Sequence, residues 1–153
     1  MKKVAVSACL LGEYCRYDGA TKKSDAVMEA FKDCEVIPFC PEAPVLGTPR
    51  ERISVISTSQ GYRLIGDESG RDVTELIEKE TQKLIDARDD LDMIVLKSKS
   101  PSCGLGTTPV LGSQRQLLCY DNGVAAQMLK RHFTTVTFSD ERIFEEQREE
   151  NND

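Results

Sequence analysis

The sequence has no apolar run near the roughly 20 residues of a membrane span, no C-x-x-C pair, one histidine, no basic stripe and no internal repeat. Each absence removes a class of protein. Lacking a long apolar run, the chain does not read as a membrane protein. The N-terminal MKKVAVSACLLG has the lysines and apolar stretch of a leader. Gly12, Glu13 and Arg16 come directly after it, however, and no small-residue cleavage pattern closes it, so a buried first strand in a cytosolic (cytoplasmic) protein is expected. Without C-x-x-C, a zinc ribbon and a thioredoxin-type dithiol are both disfavoured. The single histidine, His132, falls late in a helical pattern, where it satisfies carbonyls rather than ligating zinc. Without a basic stripe, nucleic acid is not an expected partner.

The net charge of −6 is unevenly distributed. Residues 140–153 carry seven acids and two bases, whereas the remainder carries 19 acids against 18 bases. A nearly neutral body with an acidic tail suits a small-molecule site. At 153 residues, with 39% hydrophobic and 30% charged residues, the chain fits one soluble domain.

The apolar pattern alternates between strand-like and helix-like runs. Residues 3–8 (KVAVSA), 35–39 (EVIPF), 93–97 (MIVLK) and 134–138 (TTVTF) read as buried strands. Ser24 is the expected N-cap of a short helix presenting Val27, Met28 and Phe31. Asp72 and Glu75 suggest a capping box for a longer helix with Val73, Leu76, Ile77, Leu84 and Ile85 on one face. A further helix is expected over 123–132. ISVIS (53–57) and YRLI (62–65), joined by TSQG, read as a β-hairpin. The loop CPEAPVLGTPR, with three prolines, is not expected to continue any regular element. The order implies an α/β fold: a single-domain, three-layer open sheet, mostly parallel and Rossmann-like, with a β-hairpin insertion. The domain is expected over 1–139, with an acidic, disordered tail over 140–153.

Six cysteines in a reducing compartment are ligands, redox groups or packing residues rather than disulfides. Cys9, Cys40 and Cys103 each come after a strand-like run, so a parallel sheet would bring them to one edge, the edge where open α/β folds bind ligands. Three convergent thiolates point to a metal or iron–sulfur site with one position open. Cys15, Cys34 and Cys119 read as bystanders rather than ligands, Cys34 and Cys119 as packing residues and Cys15, close in sequence to Cys9, as a thiol that could approach the site. Glu42 in CPE is placed to act as a general base or to pair with Arg50 or Arg52. Ser98, Ser100 and Ser102 crowd one loop as backbone caps, with Ser100 also positioned to meet a substrate. Arg16, Tyr17 and Asp18 form a loop that either contacts a planar ring or rigidifies its own turn.

SACLLG at 7–12, RYDG at 16–19, CPE at 40–42, PR at 49–50, GRDVT at 70–74, KSKSPSCG at 97–104 and NGVAAQMLK at 122–130 together resemble the TudS-type thiouracil desulfidase family. The likeness runs from about residue 3 to 138, although PEAPVLGTPR has fewer glycines than the family's usual loop. The resemblance implies a [4Fe-4S] cluster held by Cys9, Cys40 and Cys103, with one iron lacking a protein ligand. It also implies catalytic roles for Glu42 and Ser100, and a cluster supplied by iron–sulfur assembly machinery. The implied reaction is a non-redox, hydrolytic C–S cleavage that converts a thiolated pyrimidine such as thiouracil to uracil and hydrogen sulfide. The substrate sulfur would bind the open iron, and a free thiolated nucleobase is the expected partner. Two other readings compete: a non-enzymatic iron–sulfur or sulfide-sensing module, and a metal-free persulfide sulfurtransferase. A sensor has little need of a positioned Glu42 and Ser100, and a sulfurtransferase needs one activated thiol rather than three.

Overall fold

A computed structural model of the chain describes residues 1–151. Strands β1 (Lys3–Ser7), β2 (Glu35–Phe39), β5 (Met93–Leu96) and β8 (Thr137–Asp140) form an all-parallel sheet in the order β2-β1-β5-β8. β1 lies inside the sheet because it is apolar on both faces. Val4 and Val6 are buried with Val27, Phe31 and Val95 on one side, while Ala5 joins the larger core on the other. Fully burying each of these valines contributes about 1.5–3 kcal/mol.

Helices α3 (Thr74–Ala87) and α4 (Val124–His132) pack together and bury Ile77, Leu84, Ile85, Ala125, Ala126 and Leu129 in the larger core. α1 (Asp25–Ala30) packs against the last helix, α5 (Glu141–Asn151), near the smaller core. Ser24 caps α1 as expected, its Oγ accepting the Val27 N–H at 3.3 Å.

The α/β class and the parallel sheet agree with the sequence reading, and three details differ. First, the hairpin of β3 (Ile53–Thr58) and β4 (Gly61–Gly66) is half of a second sheet. β6 (Thr108–Leu111) pairs with β3 in parallel, and β7 (Leu117–Asp121) pairs antiparallel with β6. β6 contains Pro109, and β7 is exposed along nearly its whole length, so neither carries an alternating apolar signal.

Second, α3 starts without a capping box. Asp72 Oδ1 accepts from both the backbone N–H and the hydroxyl of Thr74, and Glu75 pairs instead with Arg63 at 2.7 Å. Third, residues 140–151 are not a disordered tail. β8 starts at Thr137, later than expected, and runs to Asp140. α5 comes next, with Phe144 meeting Phe31 edge-on at 5.1 Å between ring centroids. Residues 152 and 153, the end of the expected tail, lie outside the described residues. Among the described residues, no helix is long and apolar enough to cross a membrane.

Candidate functional site

Along the parallel sheet the chain leaves β1 toward β2 on one side and later returns to β5 on the other. The β1/β5 boundary is therefore a topological switch point, where the strand ends splay and leave a crevice. The ladder stops at the Val6–Val95 pair, and the next tie is made by a side chain, Lys97 N–H donating to Ser7 Oγ at 2.9 Å.

Cys9 lies in the single 3₁₀ turn after β1 (Ala8–Leu11), which ends at Gly12 with φ 93°. Its carbonyl is fixed by the Lys22 N–H at 3.2 Å and the Thr21 hydroxyl at 2.9 Å. Cys40 is the first residue after β2, and its Sγ accepts the Ala43 N–H at 3.4 Å. That amide opens α2 (Ala43–Leu46), a single turn in the loop expected to be irregular. Pro44 is tolerated there because a first turn has no N–H bond to lose.

Cys103 closes the loop after β5. Lys99 takes φ 66°, uncommon for a residue with a side chain. Ser100 Oγ accepts the N–H groups of Ser102 at 3.2 Å and Cys103 at 3.1 Å. Helix α4 closes on the far side, with the Ala126 N–H donating to the Ser102 carbonyl at 3.1 Å. Gly123 has to be glycine here, since a Cβ would stand 2.4 Å from the Ser102 backbone.

Cys9, Cys40 and Cys103 line one cavity of about 670 Å³. It lies between the carboxyl edge of the parallel sheet and residues of the second sheet, Ile53, Val55, Pro109 and Leu111. Cys15, read from sequence as a bystander, lines the same cavity. A hydrogen bond with Cys40 lowers its pKa, but a bond with Cys9 and burial outweigh it and push the thiol up to about 11. The bond with Cys15, with burial, likewise raises Cys40. Burial and then Glu42 raise Cys103, against hydrogen bonds from Ser100 and Ser7 that favour its thiolate. Cys34 packs beside the smaller core, whereas Cys119, expected as a packing residue, is exposed on β7. Among the described residues no three His, Cys, Asp or Glu side chains close on a single metal ion.

Glu42 is buried at the cavity wall, and both its carboxylate oxygens are engaged. Oε1 faces Arg50 Nη2 at 3.4 Å and Oε2 accepts the Ser102 hydroxyl at 2.8 Å. The pairing with Arg50 is the second of the two roles open to Glu42 from sequence. Arg16 and Tyr17 line the cavity. The Arg52 guanidinium lies 4.5 Å from the Tyr17 ring centroid and donates to its hydroxyl. Asp18 turns away into its own turn, where Oδ1 accepts the Ala20 N–H at 2.9 Å and Oδ2 faces Arg16 at 3.8 Å. Seven cationic side chains and three acidic ones line the cavity, reversing the sign of the whole chain.

A model of the 2-thiouracil desulfurase family matches residues 4–141. The chain belongs to that family. This desulfurase-family chain is 34% identical over 113 residues to the uncharacterized protein YbbK of Bacillus subtilis (strain 168), a match covering 67% of this chain and 74% of YbbK. Its fold is similar to a solved structure described as the [4Fe-4S]-dependent thiouracil desulfidase TudS. The TM-score is 0.70 at 26% identity, covering 92% of this chain and 91% of that one.

The desulfurase-family cavity includes Lys97 and Glu141, to which the sequence reading gave no part in the site, beside Cys15 and Arg50, whose approach to it the sequence left open. Arg50 and Lys97 sat in motifs already singled out. Glu141 carried no local signal, because it begins an acidic run that reads as solvated.

Proposed function

We propose that the protein desulfurises a thiolated pyrimidine, giving the oxo-pyrimidine and hydrogen sulfide, with a [4Fe-4S] cluster held by Cys9, Cys40 and Cys103. The observation that carries this reading is the placement of three strand-end thiols on one cavity, with Glu42 and Ser100 at its wall. The donor set fits such a group. Iron–sulfur clusters take thiolate ligands, and N–H and O–H donors to the sulfurs tune them; here Cys40 receives the Ala43 N–H at 3.4 Å. In place, the cluster would supply a Lewis-acidic iron, free of protein ligands, for the thiocarbonyl sulfur. Iron–sulfur assembly machinery would deliver it.

The chain's own groups handle water and protons. Glu42, held between Arg50 and Ser102, takes a proton from the attacking water, whose oxygen bonds to the thiocarbonyl carbon as the C–S bond breaks. Ser100 Oγ already accepts two backbone N–H groups, so its own proton is what it has to give. The sulfur leaves with two protons, and no oxidant or reductant is needed. Arg16 and Tyr17 lie where a planar ring enters the cavity. The positioned carboxylate favours an enzyme over a sulfide-sensing module, which has no proton to move.

Of the cations lining the cavity, Lys22, Arg52 and Lys99 have no carboxylate partner among the described residues, which favours a thiopyrimidine bearing a negative group, such as a nucleotide phosphate, over the bare base. Anaerobically loaded protein should turn over a thiouridine monophosphate with a higher kcat/KM than thiouracil, and the gap should narrow with added salt. Equal values at all salt concentrations would refute the charge argument. Failure of both substrates to release sulfide would refute the function.

A further inference from the structure

Glu141 is the first residue of α5, yet its carboxylate serves a different element. It is 6% exposed, and its oxygens face the loop that carries Ser100 and Cys103. Oε1 accepts the Ser98 N–H at 2.7 Å, Oε2 accepts the Ser98 hydroxyl at 2.6 Å, and Lys97 Nζ lies 3.2 Å from Oε2. The Lys97 ammonium also donates to the Ser98 carbonyl at 2.8 Å. Lys97, Ser98 and Glu141 all line the cavity. The neighbouring charges are otherwise occupied, since Asp140 pairs with Arg142 at 2.8 Å and caps the start of α5 through the Arg142 N–H.

We propose that Glu141 is a positioning residue of the desulfuration site, a buried carboxylate that clamps the start of the 97–103 loop and aims the Lys97 ammonium at the cavity. The loop is held at two ends. Glu141 fixes Ser98 at one, and Ser100 Oγ with the amino end of α4 fixes Ser102 and Cys103 at the other. Between them, Lys99 holds a left-handed conformation that a side-chain-bearing residue keeps only when its surroundings impose it. A buried carboxylate with three donors is a strong local restraint, and removing it leaves the Ser98 N–H without its acceptor and Lys97 without its counter-charge. Glu141 acts through the loop, since its oxygens are taken up by Ser98 and Lys97. The desulfidase role rests on the function proposed above, whereas the clamp itself can be read without substrate.

The test uses the full chain with Glu141→Ala, Glu141→Gln and, as a control, Phe144→Ala. Phe144→Ala strips the edge-on contact between α5 and Phe31 without touching the loop. In unloaded protein, amide exchange at Ser98 should quicken on the order of 10- to 100-fold in Glu141→Ala, as for loss of a hydrogen bond to a charged group. Glu141→Gln, which keeps an acceptor for Ser98, should fall between. Phe144→Ala should lower Tm and leave Ser98 protected relative to the rest of the sheet. After anaerobic loading, Glu141→Ala should alter the paramagnetic resonance of the reduced cluster, and its loss of activity should lie in kcat more than KM.

Wild-type exchange at Ser98 in both Glu141 variants would overturn the clamp, as would Phe144→Ala reproducing their effect. If Glu141→Ala does not fold, the isosteric Glu141→Gln decides by the same exchange measurement. A protected Ser98 that depends on Glu141, in a wild-type protein that releases no sulfide, would uphold the clamp and overturn the function.

Discussion

At the scale of single residues, the cysteines divide by their position relative to the parallel strands. Cys9, Cys40 and Cys103 lie in the segments leaving the three adjacent strands β1, β2 and β5, and they line one cavity. Replacing any one of them with serine should abolish stable iron loading. Cys34→Ser and Cys119→Ser should load as wild type, since one packs beside the smaller core and the other is exposed on β7. Cys15→Ser is the sharper case, because Cys15 shares the cavity. It should also keep its iron, and a folded, iron-free Cys15→Ser protein would mean that the ligand set is misassigned. Glu42→Ala and Ser100→Ala should retain the iron, as neither is a proposed ligand, and lose about 10²- to 10⁴-fold in turnover, the usual cost of a positioned acid–base group. Full activity in both would leave the reaction to the iron and bulk water.

At the scale of elements, the approach of α4 to the 97–103 loop sets where Cys103 stands. Gly123→Ala would drive a Cβ to 2.4 Å from the Ser102 backbone, so helix and loop must separate. The expected result is a lowered Tm together with reduced iron per chain, measured on anaerobically loaded protein. A fully loaded Gly123→Ala protein would show that the loop tolerates the shift. The same elements show how much of the fold is legible in the sequence. The buried strands are readable because a two-sided apolar run such as KVAVS has few other uses, and the strand-end cysteines come with them. β6 and β7 are not, because Pro109 interrupts one and the other is exposed to solvent, leaving no period to detect. α5 is hidden for a related reason. Its composition is that of a solvated tail, and only tertiary contacts, Phe144 on Phe31 and Glu141 on Ser98, give it a place. Glu42 is legible as a candidate functional position, but its tie to Ser102, 60 residues away, depends on the fold.

At the scale of the whole molecule, charge is separated. The chain is acidic at −6, yet cations dominate its cavity lining. On the substrate preference proposed above, that contrast draws anions to one place on the protein and makes the site sensitive to salt. The fold supplies the rest: one parallel sheet whose switch point gathers the thiols, and a second sheet that walls the cavity. The central claim, sulfur removal without redox chemistry at a thiolate-held cluster, is tested most directly by the product balance of anaerobically loaded protein. With about four iron and four sulfide per chain, the account predicts one hydrogen sulfide and one oxo-pyrimidine for each thiopyrimidine consumed, with no added electron donor or acceptor. Undiminished sulfide release by iron-free protein, or release that requires a reductant, would contradict it.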